Sequence, residues 1–115
     1  MNYACRIVTL SAKLSRRDVV VRRLGFQLLD SGTSIGANLE EGVAGQSKPD
    51  FIAKYCIALK EARETRYWLR VIAFADAPMK PDIAPLVQEA SEFIAMPTAC
   101  VKNARLSANR GFQRV

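Results

Sequence analysis

The sequence predicts an all-α protein, an antiparallel up-and-down four-helix bundle, on three observations. Apolar residues recur at alternating steps of three and four along most of the 115-residue chain, the spacing of one helix face and not of a strand. The longest such run opens on Ser47-Lys48-Pro49-Asp50, which supplies a capping hydroxyl, a first-turn proline and an acid three residues after the cap. Finally, Gly42 to Gln46 and Ala77 to Pro81 interrupt the pattern, leaving long segments joined by turns too short for anything but antiparallel neighbours.

Taken in order, a first helix over about 2–14 aligns Tyr3, Ile7, Leu10 and Leu14, with Arg6 and Lys13 off that stripe. Ser15 can cap a second helix over about 16–42, and Asp18 suits its positive end. Val21, Leu24, Leu28, Ser31 and Ile35 continue the rhythm. The segment Ser31 to Asn38, SGTSIGAN, carries opposed signals. Its glycines each cost about 1 kcal/mol against helix and read as a turn, whereas Leu28, Ser31, Ile35 and Asn38 or Leu39 stay in phase across it. Periodicity favours an unbroken helix whose small residues let a neighbour approach, with Ala58 and Ala62 as the facing surface, and Gly42 or Gly45 closing it in the left-handed conformation.

The third helix, about 48–75, carries Phe51, Tyr55, Ala58, Ala62, Thr65, Leu69 and Ile72 on one stripe. At 1.5 Å per residue it is a rod of about 42 Å, natural in a bundle. The fourth runs from Asp82 to about 108, burying Ile83, Leu86, Val87, Ala90, Phe93 and Ile94, with a kink or an end at Pro97. Beyond Pro97 a frayed tail holds Lys102, Arg105, Arg110 and Arg114 and no acid. With no linker, repeat or low-complexity tract, one domain over 1–115 is expected.

Composition narrows the chemistry. The chain has no histidine, which removes Ser-His and Cys-His pairs, the commonest general base and the ligands of most catalytic zinc and bundle di-iron sites. Cys5, Cys56 and Cys100 are odd in number and far apart, so they read as small core residues and not as a disulfide or zinc framework. Glu40, Glu41, Glu61 and Glu64 could suggest a carboxylate metal site, but salt bridges to Lys60, Arg63 and Arg66 are the simpler reading. SGTSIGA lacks the lysine and preceding strand of a phosphate loop. The expectation is a protein with no enzymatic activity, no metal and no cofactor. No apolar run reaches the roughly 20 residues of a membrane span and the N-terminus lacks a secretory pattern, so a cytoplasmic protein with no membrane partner is expected.

The formal net charge is +6, which favours acidic partners. Arg16, Arg17, Arg22 and Arg23, with Lys102, Arg105, Arg110 and Arg114 in the tail, are the candidate phosphate contacts. Tyr67 and Trp68 beside Arg63, Arg66 and Arg70 could add a stacking face, although Trp68 reads better as a core or subunit-interface anchor. Ser31, Ile35, Asn38, Phe51, Tyr55, Ala58 and Ala62 join it as packing or interface positions.

The segments QLLDSGTSIGANLEEG and SKPDFIAKYCIALKEARETRYWL closely resemble the bacterial four-helix bundle family named after 23S ribosomal RNA intervening-sequence proteins. The likeness spans roughly the whole chain and is most specific over Phe26 to Leu69. It rests on Gln27, Ser31, Ser34, Ile35, Asn38, Glu41, Phe51, Ala58, Leu59, Glu61, Glu64, Thr65, Tyr67, Trp68 and Leu69, which are mainly fold-defining in that family. The resemblance implies a continuous second helix and a homo-oligomer, a pentamer around a central channel. A related branch accompanies the reverse transcriptase of diversity-generating retroelements and binds nucleic acid through a basic surface. Two features depart from the pattern: Pro97 stands where a plain helix former is usual, and the first segment is short. The combined expectation is an oligomeric bundle that binds RNA or DNA by phosphate contacts; the alternative is a scaffold docking a partner protein.

Overall fold

A computed structural model describes residues 2–45 and 47–95, and among these every long segment is helical and none is a strand. The helices are α1 (Asn2–Leu14), α2 (Val19–Ala44), α3 (Lys48–Ala75) and α4 (80–95, where the described residues end). A 3-10 turn, Ala77–Met79, leads directly into α4. The all-α four-helix bundle is therefore what the chain forms.

The ends of the helices differ from the sequence reading in instructive ways. Ser15 does not cap α2; its hydroxyl donates to the Ala12 carbonyl at 2.6 Å and so closes α1. Arg16 and Arg17 wind on in the same tight turn, donating from their backbone N–H groups to Lys13 and Leu14. The cap is Asp18, whose Oδ1 accepts from the Val21 N–H at 3.0 Å, so α2 starts at Val19 and not near 16. At its other end α2 runs through Gly42 to Ala44, and its capping residue Gly45 has extended backbone, φ −65° and ψ 155°. No described residue has positive φ, so left-handed closure is not the reason for either glycine. Space is: a Cβ on Gly42 would lie 3.2 Å from Lys54 Cβ, and one on Gly45 3.3 Å from Asp50 Cβ, where the first turns of α3 fold back. Ser47 caps α3 as expected, accepting from the Asp50 N–H at 3.2 Å. α4 starts at 80 and not at 82, because Pro81 falls in a first turn that needs no N–H. The part of that helix drawn beyond 95, with Pro97 and the basic tail, lies outside the described residues.

SGTSIGAN is helical throughout. Its polar side chains bond back along the helix: Thr33 donates to the Leu29 carbonyl at 2.8 Å, Ser34 to Asp30 at 2.6 Å, and Asn38 to Ser34 at 2.8 Å. They therefore satisfy themselves without unwinding the backbone. Gly32, however, serves α1 and not Ala58 and Ala62, since a Cβ there would lie 2.7 Å from Ile7 Cγ2. Ser31 is the residue that meets α3. Its Oγ shares a 3.1 Å hydrogen bond with Thr65 Oγ1, both residues buried, while Thr65 donates to the Glu61 carbonyl at 2.7 Å. Ser31 Oγ in turn donates to the Leu28 carbonyl at 3.3 Å, so the two hydroxyls, with one proton each, share three contacts across and along the helices.

The core has two parts on either side of that polar pair. Ile7, Leu10, Leu14, Val21, Leu28, Leu69, Ile72, Met79, Ile83 and Leu86 pack at the end of the α1–α2 and α3–α4 turns. Ile35, Ala58, Ala62 and Ile94 pack toward the other end. There an aromatic run, Phe51 to Tyr55 to Phe93 with ring centroids 5.3 and 6.0 Å apart, ties α3 to α4. Cys5 is exposed and not a core residue, because it sits beside the α1 stripe and not on it, and Cys56 is half-buried. Cys100 lies outside the described residues.

Candidate functional site

The bundle sorts its charges by face. α4 turns Glu89 and Asp82 toward α1, where Arg6 pairs with Glu89 and Lys13 Nζ lies 3.1 Å from Asp82 Oδ2. Lys54 on α3 pairs with Glu41 on α2 at 2.7 Å. Arg17 Nε lies 3.1 Å from Asp76 Oδ2, and its Nη2 lies 3.4 Å from Met79 Sδ. Asp76 is itself buried, so Arg17 fastens the α1–α2 turn onto the α3–α4 turn. Four of the described acids, Glu41, Asp76, Asp82 and Glu89, are thus matched in ion pairs within the fold.

Against that background three of the four arginines named at the α1–α2 corner stand free. Arg16 lies in the turn and Arg22 and Arg23 in the first turns of α2, all exposed and none in an ion pair among the described residues. Val19, Val20 and Phe26 are exposed among them. Lys102, Arg105, Arg110 and Arg114 lie outside the described residues.

A second cationic face lies on the outside of α3. Lys60, Arg63 and Arg70 are exposed there without ion pairs among the described residues, and Arg66 leans to α4, where its Nη1 donates to Ser91 Oγ at 3.4 Å. The two neighbouring aromatics part company. Trp68 is half-buried against the core, its Nε1 donating to Glu64 Oε1 at 3.3 Å. Tyr67 points outward, edge-on to Trp68 with centroids 5.0 Å apart, and is 59% exposed. About two turns further, Phe74 is 89% exposed. Sequence reading overlooked Phe74, yet Arg63, Tyr67, Arg70 and Phe74 follow one another at steps of four, three and four.

The packing positions divide similarly. Ser31, Ile35, Ala58 and Ala62 are buried, Asn38, Tyr55 and Trp68 half-buried, and Phe51 sits at the margin of exposure. Glu61 is half-buried; burial, then the neighbouring Glu64 carboxylate, pushes its carboxyl above the usual range, with Lys60 opposing. A cavity of about 450 Å³ opens between α1, α2 and α4, lined by Tyr3, Gly36, Leu39, Ala62, Glu89 and Phe93 among others. Its walls are largely apolar. The Tyr3 hydroxyl donates to the Leu86 carbonyl at 2.9 Å and burial pushes that phenol well above its ordinary value, with Glu89 adding to the effect and Arg6 opposing it. Among the described residues no three Cys, Asp or Glu side chains converge as a metal-ligand group, and no helix is long and apolar enough to cross a membrane.

The family model described as 23S rRNA-intervening sequence protein matches residues 1–99. Among solved structures, a protein of unknown function from the S23 ribosomal protein family of Bacteroides thetaiotaomicron is similar at 36% identity, with a TM-score of 0.77 over 88% of this chain and 93% of that one. No curated protein matches the chain.

Proposed function

The chain belongs to the 23S rRNA-intervening sequence protein family, and from that premise we propose that it is a non-enzymatic, self-associating bundle that binds RNA or DNA through phosphate contacts with little sequence readout. The observation that carries this reading is the unequal fate of its cations. Arg6, Lys13, Arg17 and Lys54 are matched by acids, while Arg16, Arg22 and Arg23 are exposed at one corner and form no ion pair among the described residues. A surplus of mobile cations on one corner attracts a polyanion and releases its counterions. RNA is favoured over DNA because both family names refer to the ribosome. Self-association follows the resemblance to pentameric bundles. A pentamer would carry five times the formal charge of +6, so its attraction for polyanions would be strong at low salt.

A second reading has its own support. Val19, Val20 and Phe26 expose apolar surface among the corner arginines, a composition that also suits a partner protein steered in by charge. One experiment separates the two. Reversing Arg16, Arg22 and Arg23 to Glu should weaken binding of a labelled RNA by at least tenfold near physiological salt and reduce its salt slope by about 2. Unchanged affinity, with the oligomer mass by light scattering also unchanged, would remove the corner as the phosphate site.

A further inference from the structure

Resting on the nucleic-acid reading, we propose that the outer face of α3 and α4 is a site for single-stranded RNA, with Tyr67 and Phe74 as base-stacking platforms and Lys60, Arg63, Arg70 and Lys80 as phosphate contacts. Arg63, Tyr67, Arg70 and Phe74 form one stripe of an unbroken helix, so cation and aromatic ring alternate along it. Tyr67 and Phe74 are seven residues apart, about 10 Å along the axis, which leaves room for separate bases from one strand. Both rings are presented to solvent, Phe74 almost wholly.

The flanking chemistry completes the face. Ser91, held by Arg66, marks the side of α4 that adjoins α3, and helical spacing puts Lys80, Ala84 and Gln88 on the same side. Neither stripe contains an acid. Of the acids of α4, Asp82 and Glu89 face α1 in ion pairs, while Glu92, which also lines the cavity between α1, α2 and α4, accepts from Gln88 at 3.2 Å and adjoins the α4 stripe. Glu64, the acid of α3 nearest the stripe, takes the Trp68 indole N–H. What remains is a ridge of cations and bare rings. A duplex keeps its base faces inside the stack and can use only the cations; a single strand can use the rings as well. An apolar protein partner would be served poorly by rings set singly between guanidinium groups, whereas an unpaired base accepts both kinds of neighbour.

The test is fluorescence anisotropy with a labelled oligouridylate of about 12 nucleotides and an RNA duplex of the same length, near physiological salt. Wild-type protein should bind the single strand more tightly. The double variant Tyr67→Ala and Phe74→Ala should weaken oligouridylate binding by about 100-fold, roughly tenfold per lost platform, and leave duplex binding unchanged. The pair Tyr67→Phe and Phe74→Tyr should retain the single-strand affinity. Phe74 is almost wholly exposed and Tyr67 gives up only its edge contact with Trp68, so the melting curve should move little, and Arg63→Gln with Arg70→Gln gives an independent variant that lowers affinity for both probes. If the alanine variant binds oligouridylate as wild type does, or loses both probes by one factor, the face is not a stacking site, while corner-dependent binding would still stand. If wild type binds neither probe, this proposal and the nucleic-acid reading fall together.

Discussion

Arg16 and Arg17 are neighbours with different work, and the difference lies in one acid 59 positions away from Arg17. Asp76 is 9% exposed and has Arg17 at 3.1 Å, so removing the guanidinium would strand a largely dehydrated carboxylate. Arg17→Ala should therefore lower stability by about 1–3 kcal/mol in urea denaturation, whereas Arg16→Ala should stay within about 0.5 kcal/mol of wild type; equal effects would refute the distinction. Tyr3 offers a pH test. Its phenol is raised by burial and by Glu89, so the folded chain keeps a proton that the unfolded chain begins to release near its ordinary value of about 10. The contribution is complete below that pH and is lost as pH rises above it. Tyr3→Phe should be about 1 kcal/mol less stable at neutral pH, through loss of the bond to Leu86, yet lose less stability than wild type between pH 9 and 11. Parallel pH profiles would show that Tyr3 ionises freely in the fold.

At the scale of elements, the glycines of α2 separate helix propensity from helix packing. Gly32 lies against the buried, β-branched Ile7 of α1, where a Cβ would come within 2.7 Å, while Gly36 has open space around it. Gly32→Ala should cost about 1–3 kcal/mol through overpacking, and Gly36→Ala should gain about 0.5–1 kcal/mol through propensity. Thermal melts that moved both variants in the same direction would contradict this assignment. These helices were legible in the sequence because apolar spacing survives any choice of polar residue. The partner of Gly32 was not, since periodicity identifies a buried face without saying which neighbour covers it. Helix starts were ambiguous for a chemical reason: Ser15 and Asp18 are both good caps, and the exposed arginines between them carry no phase. Trp68 and Tyr67 illustrate the same limit, adjacent in sequence but about 100° apart on the helix, one turned to the core and the other to water.

For the whole molecule, the formal charge of +6 understates how the fold uses charge. Ion pairs between exposed side chains contribute little stability, about 0–1 kcal/mol each, but those between α1 and α4 remove acids from the faces where the unmatched cations stand. The sum of charge was readable from composition; its sorting was not, because it depends on which helices become neighbours. The measurement that tests the central claim most directly is the salt dependence of RNA binding by the purified protein, read by anisotropy with oligomer mass measured on the same sample. The account predicts submicromolar affinity near physiological salt and a log-log slope of about −0.7 per phosphate contact for a single strand, so −2 or steeper for the corner arginines alone. Binding that appears only at low salt, or a slope near zero, would contradict it and leave the charge to serve solubility or the docking of a protein.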